Sequence, residues 1–167
     1  MFLAMGVVIR PIRDGDVDAI VALSVRAWEP VFESIHETAG ARLFVYFYGD
    51  DWRVHQANDV RRACSAYHVC VAEDDGRVVG FTAVDLPADS QDGEIYMVAV
   101  DPDAQGAGIG VQLTMAAVDM IRDAGKRCAV VGTGADRGHA AARATYRKAG
   151  FTPWPSEQLF LLLDDAV

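Results

Sequence analysis

Long apolar segments are missing from this sequence. It contains no run of about 18 consecutive apolar residues, the length that indicates a transmembrane helix, so we expect no membrane-spanning segment. The apolar start, residues 1–6, is too short and too uncharged for a secretory signal. Internal repeats and low-complexity tracts are also absent, and 167 residues with 51% hydrophobic content fit one soluble domain. We therefore predict a single domain over residues 1–167.

Positive charge is scarce as well. The formal net charge is −9 at pH 7, which argues against binding to nucleic acid or to anionic membranes. A phosphate group would have to be held by a local arrangement of donors, because the chain has no large basic surface to attract it.

Cysteine and histidine are few, and their spacing is uninformative. The three cysteines form no C-x-x-C pair, which predicts reduced thiols and a cytoplasmic location. Cys128 begins an apolar run and is expected to be an inert core thiol. The four histidines have no metal-ligand spacing with one another or with the cysteines, so we expect no metal site.

Apolar periodicity alternates along the chain between the spacing of helices and that of strands. Asp14 or Asp16 supplies an N-cap for the first helix, and Pro30 is predicted to end it and to open a second one. The sequence Asp74-Asp75-Gly76 joins two strands as an antiparallel hairpin. Predicted strands cover residues 7–12, 68–73, 77–86, 95–100, 128–132 (short and buried) and 158–163; predicted helices cover 17–30, 30–40, two short segments of 41–66 separated at 49–51, 108–124 and 139–149.

The most informative stretch is a glycine-rich turn that follows the apolar run IYMVAV. Asp101 and Pro102 end this strand, and Gly106, Gly108 and Gly110 open the next helix. Glycines at a helix start allow backbone N–H groups to converge on one anion, where the helix dipole also favours negative charge. The turn therefore predicts a phosphate-binding site.

Two common nucleotide motifs do not fit this turn. A dinucleotide-binding G-x-G-x-x-G motif that starts at Gly106 would need glycine where Val111 stands. A P-loop needs Lys and Ser or Thr after its last glycine, and Val111 and Gln112 follow Gly110 instead. The alternative without a ligand is a helix start whose glycines only permit tight packing.

Two further segments make the turn more specific. QGAGIG, from Gln105 to Gly110, is similar to the Q/R-x-x-G-x-G/A loop of the Gcn5-related N-acetyltransferase (GNAT) family. HAAARATYRKAGF, from His139 to Phe151, resembles the second signature of that family, N-x-x-A-x-x-x-Y-x-x-x-G-F. The resemblance extends over most of the chain, and the two signatures in this order are more specific than either alone.

The resemblance implies a fold and an activity. The fold would be α/β, with a mixed, mostly antiparallel twisted sheet that is flanked by helices and splayed at the MVAV strand. The activity would be direct transfer of acetyl from acetyl-CoA to an amine of a small molecule or peptide, with no nucleophilic cysteine and no metal. A catalytically inactive module that binds or senses CoA is the alternative, and an acyl donor longer than acetyl stays open. A homodimer is common in the family, and the apolar tail could contribute to one.

The resemblance also assigns coenzyme contacts, most of them through the backbone. N–H groups of the MVAV strand would pair with the pantetheine arm and stabilise charge on the thioester oxygen, and amides of the turn would hold the pyrophosphate. On the last helix, Tyr146 follows His139 by seven residues and Ala142 by four, so the three share one face. The predicted coenzyme-binding residues are Val98, Ala99, Val100, Gln105, Gly106, Ala107, Gly108, Ile109, Gly110, His139, Ala142 and Tyr146.

Two side chains are predicted to carry the chemistry. Tyr146 stands where the family places a tyrosine that protonates the leaving thiolate; the alternative is a core tyrosine packed on Phe151. Glu94, at the entrance to the MVAV strand, is the candidate general base, with a solvated glutamate as the alternative and Asp85 and His68 as weaker candidates.

Three further interpretations concern the helices. His139 replaces the usual asparagine, so its contact is open: the coenzyme, a substrate group or a helix cap. Arg143 is predicted to lie on a solvated face, with a coenzyme phosphate as the alternative. Trp28 and Phe32 are candidates for the acceptor pocket, since in the family the first helices wall the acceptor side.

Overall fold

The computed structural model describes residues 6–163, so residues 1–5, most of the predicted apolar start, lie outside the described part. Five strands and five helices form it, with short 3₁₀ turns at Pro102–Ala104 and Arg137–His139. The strands are β1 (Val8–Pro11), β2 (His68–Asp74), β3 (Arg77–Asp85), β4 (Asp92–Val100) and β5 (Cys128–Val131). The helices are α1 (Val17–Ala39), α2 (Ala41–Tyr48), α3 (Trp52–Ala66), α4 (Ile109–Asp123) and α5 (Ala140–Lys148).

The sheet has the order β1-β2-β3-β4-β5, with antiparallel pairing up to β4 and parallel pairing between β4 and β5. This confirms the predicted mixed, mostly antiparallel sheet. The β2–β3 hairpin turns at Asp75 and Gly76, whose φ angles are 47° and 75°. Two consecutive left-handed residues match the tight hairpin turn that an Asp-Gly pair predicts.

The middle of β4 is where the sheet opens. Ala83 pairs with Met97 and Val84 with Ile95, so Tyr96 is an extra residue that bulges out of the β3–β4 ladder. On the other side, the pairing with β5 runs only from Asp92 to Ile95. Residues 96–100 therefore have a strand neighbour on the β3 side alone within the described part of the chain, in agreement with the predicted opening.

Helices cover both faces of the sheet. Helices α1 and α3 pack on one face around Phe81, which is fully buried, and α4 packs on the other through Leu113, Ala117 and Ile121. Helix α4 lies so close to the sheet that a Cβ on Gly93 would lie 2.8 Å from Cγ1 of Ile121. Because both faces are buried, the apolar residues of β3 form a continuous run.

The predicted break at Pro30 is wrong, because α1 continues through this proline to Ala39. Proline inside a helix forfeits one backbone hydrogen bond and costs about 3 kcal/mol in isolation. Burial offsets this cost, since apolar side chains on both sides of Pro30, including Leu23 and Phe32, are buried. Asp16 does stand at the N-cap position, but its carboxylate accepts hydrogen bonds from Arg10 and from the backbone N–H of Arg13 instead of capping the helix.

Two predictions for the end of the chain are also wrong. Residues 158–163 form no strand, and Leu159, Leu161 and Leu163 are exposed, because no strand lies beyond β5 in the described part to accept them. Strand β5 is an edge strand whose residues alternate between exposed and half-buried, so it is not the buried strand expected, and Cys128 at its start is exposed instead of in the core. Among the helices described, none has the length and apolar content needed to cross a membrane.

Candidate active site

The glycine turn connects the end of β4 to the start of α4. Gly106 and Gly108 have φ angles of 87° and 79°, which lie in the left-handed region that favours glycine. Gly108 occupies the N-cap position of α4 and offers no side-chain oxygen, so no cap satisfies the first N–H groups of the helix. The turn is exposed, and a Cβ at either glycine would meet nothing within 4 Å. A helix start with free donors and open space in front of it is suited to an anion.

Side-chain contacts brace this turn from two directions. Nη1 of Arg26, on α1, donates to Oδ2 of Asp101 over 3.0 Å, and its Nη2 donates to Asp103 over 2.7 Å. Nε2 of Gln105 donates to the carbonyl oxygen of Val100 over 3.1 Å. The Arg26 contacts were not predicted, since 75 residues separate Arg26 from Asp101 and no local signal joins them.

The backbone of β4 leads into the turn along its open side. Val98 and Val100 are half-buried towards α4, and Ala99 is buried on the opposite face. Since β5 does not pair with this segment, the edge of residues 98–100 that faces away from β3 has no strand partner in the described structure. Unpaired strand edges bind extended ligands through backbone hydrogen bonds.

Helix α5 lies against the first turn of α4. A Cβ on Gly110 would lie 3.4 Å from Cγ2 of Thr145, so α5 contacts α4 directly after the glycine turn. Along α5, His139, Ala142 and Tyr146 are half-buried, and the exposed positions lie on the opposite side. The predicted shared face is therefore the inner face of α5.

Tyr146 packs its ring edge-on against Phe151, with 6.0 Å between the ring centroids. Burial raises the pKa of Tyr146 to about 12. Among residues 6–163 its hydroxyl has no hydrogen-bond partner. The packing on Phe151, which was the alternative interpretation of Tyr146, is therefore present. The hydroxyl itself is not used by that packing.

His139 is held by the loop that precedes α5. Its Nδ1 lies 2.5 Å from Oδ1 of Asp136, and no side-chain cap is made at the start of the helix. Arg143 does not lie on a solvated face: it is half-buried, and its Nη1 donates to the carbonyl oxygens of Gly134 (2.6 Å) and Asp136 (2.7 Å). Both side chains therefore stabilise the loop of residues 134–136.

Glu94 lies at the exposed start of β4, directly opposite Asp85 on β3. Residues opposite each other in an antiparallel pair share a face, so two carboxylates meet here. His68 is exposed at the start of β2, on the far side of β3 from Glu94. Of the three candidate bases, Glu94 and Asp85 are thus neighbours and His68 stands apart.

The two aromatic candidates do not share a pocket. Trp28 is half-buried and packs edge-on against the core residue Phe81, with 6.2 Å between centroids. Phe32 is 5% exposed and stacks on Trp52 at 4.3 Å. Phe32 also lines a cleft of about 370 Å³. The sequence did not predict this cleft, because its walls come from three separate helices, α1, α2 and α3. The lining residues are Phe32, Glu33, His36, Glu37, Phe44 and Trp52.

Comparison with known proteins places this geometry in a family. The model of the acetyltransferase (GNAT) family matches residues 28–151, which include β4, the glycine turn and α5. The chain therefore belongs to the GNAT family.

Two curated proteins are similar in sequence to this chain and are about twice as long. Mycothiol acetyltransferase of Sanguibacter keddieii is 35% identical over 159 residues, covering 90% of this chain and 45% of the relative. Mycothiol acetyltransferase of Actinosynnema mirum is 32% identical over 161 residues, covering 96% of this chain and 49% of the relative. The chain thus spans about half the length of these relatives.

Solved structures confirm the fold. The PaiA N-acetyltransferase from Thermoplasma acidophilum, solved in complex with coenzyme A, has a TM-score of 0.67 at 16% identity and covers 92% of this chain and 94% of its own. An aminoglycoside N-acetyltransferase in complex with CoA has a TM-score of 0.64 at 16% identity, with 99% and 100% covered. At these identities the likeness concerns the fold alone.

Proposed function

We propose that this chain is an N-acetyltransferase that transfers acetyl from acetyl-CoA directly to an amine. The observation that carries the proposal is the unpaired edge of β4, which runs straight into the left-handed glycines before α4. Such an edge pairs with an extended amide-bearing arm, and such a helix start binds a pyrophosphate. Acetyl-CoA contains both groups and supplies the thioester that the amine attacks.

The residues of the site fit this cosubstrate without large side chains. Along residues 98–100, the backbone N–H groups of Val98 and Val100 lie on the edge away from β3, since that of Ala99 faces β3. They bind the pantetheine arm and stabilise the negative charge that develops on the thioester oxygen. The open space around Gly106 and Gly108 leaves room for the pyrophosphate at the amides of the turn. The proposed coenzyme contacts remain those of Val98, Ala99, Val100, Gln105, Gly106, Ala107, Gly108, Ile109, Gly110, His139, Ala142 and Tyr146.

Tyr146 is the proposed acid of the reaction. Because burial raises the pKa of Tyr146 to about 12, the phenol is protonated at neutral pH and holds a proton for the departing thiolate. The proposed role itself rests on its position on the inner face of α5. Glu94 is the candidate base expected from the sequence, and its exposed position beside Asp85 supports attraction of a cationic amine.

The acceptor is proposed to be an amine of a small molecule or peptide. The relatives named mycothiol acetyltransferase support acetyl transfer as the reaction class, but this chain matches only about half of their length. The cleft beside Phe32 carries the carboxylates of Glu33 and Glu37; Glu37 is paired with Arg137, so Glu33 is the charge that favours a cationic acceptor there. Trp28, which is half-buried and packs against Phe81, stays proposed for the acceptor side together with Phe32.

A CoA-binding or sensing module is the second candidate. The observation that favours it is the tight packing of Tyr146 against Phe151, which a purely structural tyrosine would share. Binding without turnover would be its signature.

A homodimer belongs to the proposal as well. Its support is the apolar tail, in which Leu159, Leu161 and Leu163 are 82–89% exposed, together with the edge strand β5. Deletion of residues 158–163 should leave a monomer by light scattering, whereas an unchanged mass would contradict a dimer formed through the tail. We also propose a cytoplasmic location, supported by three cysteines without a disulfide partner.

Thermal unfolding in the presence of candidate ligands tests the binding part of the proposal. A ligand that binds only the native state raises the unfolding temperature by mass action. Acetyl-CoA should raise it, while NAD should not, and a series of longer acyl-CoAs reports the acyl chain that fits. Stabilisation by NAD and not by acetyl-CoA would contradict the proposal.

A further inference from the structure

In the function proposed above His139 is a coenzyme contact, and the polar cluster around it at the start of α5 takes no part in proton transfer. His139 and Asp136 form its centre, with 2.5 Å between Nδ1 and Oδ1. The side chain of His139 is 20% exposed and that of Asp136 is 11% exposed. Ser34, on α1, is 1% exposed and its Oγ accepts from the N–H of Gly138 over 3.0 Å. This cluster therefore joins α1 to the inner end of α5.

The loop fixes the imidazole of His139 in one orientation. A Cβ on Gly134 would lie 2.5 Å from Nδ1 and 2.8 Å from Cε1 of His139, so only glycine lets the backbone pass this close to the ring. Because Nδ1 faces the Asp136 carboxylate, the proton of the neutral ring belongs on Nδ1, and Nε2 carries the lone pair. A histidine in this state can accept a proton at Nε2.

Asp136 is built to remain a carboxylate. Its Oδ2 accepts from the N–H of Gly138 over 2.9 Å. Burial raises the pKa of Asp136, but hydrogen bonds from Ser34 and His139 outweigh it and hold this pKa below its usual range. A carboxylate beside the ring stabilises the imidazolium that forms when Nε2 takes up a proton.

Two arginines lie near the ring, and one of them is neutralised by a carboxylate. Arg143 is bound to two loop carbonyls, and Arg137 pairs with Glu37 over 2.6 Å. The titratable and charged groups that surround the ring are Glu33 and Glu37 on α1, Tyr48 on α2, Asp136 and Arg137 in the loop, and Arg143 on α5.

His139, at the N-cap of α5, and Tyr146, in the helix, are both half-buried and lie seven residues apart. Seven residues correspond to about 10 Å along the axis, a span that two facing side chains and one water molecule can bridge. The helix thus carries a proton acceptor at one end of its inner face and a proton donor at the other.

We propose that His139, positioned by Asp136, is the general base that deprotonates the acceptor ammonium, instead of Glu94. This assignment rests on the proposed acetyl transfer. One proton of the ammonium passes to Nε2, directly or through a water molecule, and the neutral amine then forms the C–N bond as the C–S bond breaks. The thiolate takes the proton of Tyr146, and Tyr146 recovers one as the attacking nitrogen releases its second proton. His139 returns its proton to solvent, so the reaction releases one proton overall.

The pH dependence of kcat/KM for CoA release tests this assignment. His139→Asn removes the titrating ring and keeps a short polar side chain. We expect a loss of about 10²–10⁴-fold at pH 7 and disappearance of the acidic limb of the profile. The thermal shift with acetyl-CoA should be retained, because asparagine keeps a polar group at this proposed coenzyme contact. Asp136→Asn should also lower kcat/KM, because the ring loses the carboxylate that holds its proton on Nδ1.

Controls separate the possible failures. Glu94→Gln should keep the acidic limb, and His55→Asn, on α3, should leave turnover unchanged; His139→Gln serves if the asparagine variant does not fold. If both His139 variants keep the wild-type turnover and the acidic limb of the pH profile, the cluster is only structural. If Glu94→Gln loses the acidic limb, Glu94 is the base. A wild-type protein that releases no CoA with any amine would instead contradict the proposed function itself.

Discussion

Nη1 of Arg26 lies 3.0 Å from Oδ2 of Asp101, and this pair joins the first helix to the point where β4 ends. The carboxylate is almost buried, with 8% of its side chain exposed, and it also accepts from the N–H of Asp103 over 3.0 Å. The pair therefore positions the chain just before the glycine turn. A helix far away in sequence thus controls how the proposed pyrophosphate site is presented.

Replacing Arg26 by methionine should weaken acetyl-CoA binding without touching any proposed coenzyme contact. The turn loses its brace, and a displacement of this kind costs up to about 10²-fold in kcat/KM. Titration calorimetry and steady-state rates measure the two effects. Arg53→Met, which removes the exposed pair with Glu29, is the matched control. Equal acetyl-CoA affinity in both variants would mean that the brace is irrelevant to binding.

Gly108→Ala should reduce both stability and acetyl-CoA affinity. Its φ of 79° lies in the left-handed region, which costs an L side chain about 1–2 kcal/mol. Gly76 is a matched control, since its φ is 75° and its Cβ would also meet open space, but it lies in the hairpin turn. Urea unfolding should show similar losses for Gly76→Ala and Gly108→Ala. Only Gly108→Ala should weaken acetyl-CoA binding; a comparable loss in Gly76→Ala would attribute the effect to stability.

Tyr146→Phe should separate binding from turnover. The hydroxyl makes no hydrogen bond within the described residues, so its removal disturbs little packing, and the ring can keep its contact with Phe151. Loss of the proton donor is worth about 10²–10⁴-fold in the rate of CoA release. Thermal shift with acetyl-CoA should stay at the wild-type value. Unchanged CoA release would remove Tyr146 from the mechanism.

The Arg10–Asp16 pair predicts how stability responds to acid. The hydrogen bond from Arg10, chief among the causes, lowers the pKa of Asp16 against the opposing effect of burial. Because the native carboxyl is the more acidic, the pair stabilises the fold above the unfolded pKa of about 4, and this contribution is lost as pH falls through the lower native pKa. Asp16→Asn should therefore cost about 1–3 kcal/mol at pH 7 and progressively less below pH of about 4.

Urea unfolding of the wild type and of Asp16→Asn, at pH 7 and below pH of about 4, measures this effect. Asp119→Asn, in the exposed pair with Arg122, should change the free energy of unfolding by at most about 1 kcal/mol at pH 7. A penalty for Asp16→Asn that does not depend on pH would contradict the assigned ion pair.

Local chemistry in the sequence predicted much of this fold. The hairpin at Asp75-Gly76 and the glycine turn before α4 depend on backbone conformations that their own residues favour, so both were predicted. The continuation of α1 through Pro30 was not, because burial by distant segments decides it. The predicted strand at residues 158–163 is wrong because an apolar pattern forms a strand only where a neighbouring strand is available to pair with it.

The candidate site follows the same division. Tyr146 and the glycines belong to short motifs that can be recognised in sequence. Arg26 at the turn and Ser34 beside Asp136 lie on α1, about 75 and 100 residues from their partners, so only the folded chain brings them together. The role of Arg143 was mispredicted because its partners are loop carbonyls, which leave no signature in side-chain spacing.

The measurement that tests the central claim most directly is CoA thiol release by the wild-type protein from acetyl-CoA, across a panel of primary amines. The account predicts release that depends on both acetyl-CoA and an amine, with one acetylated amine formed for each thiol. Tight acetyl-CoA binding with no release against any amine would contradict acetyl transfer and favour the CoA-sensing module.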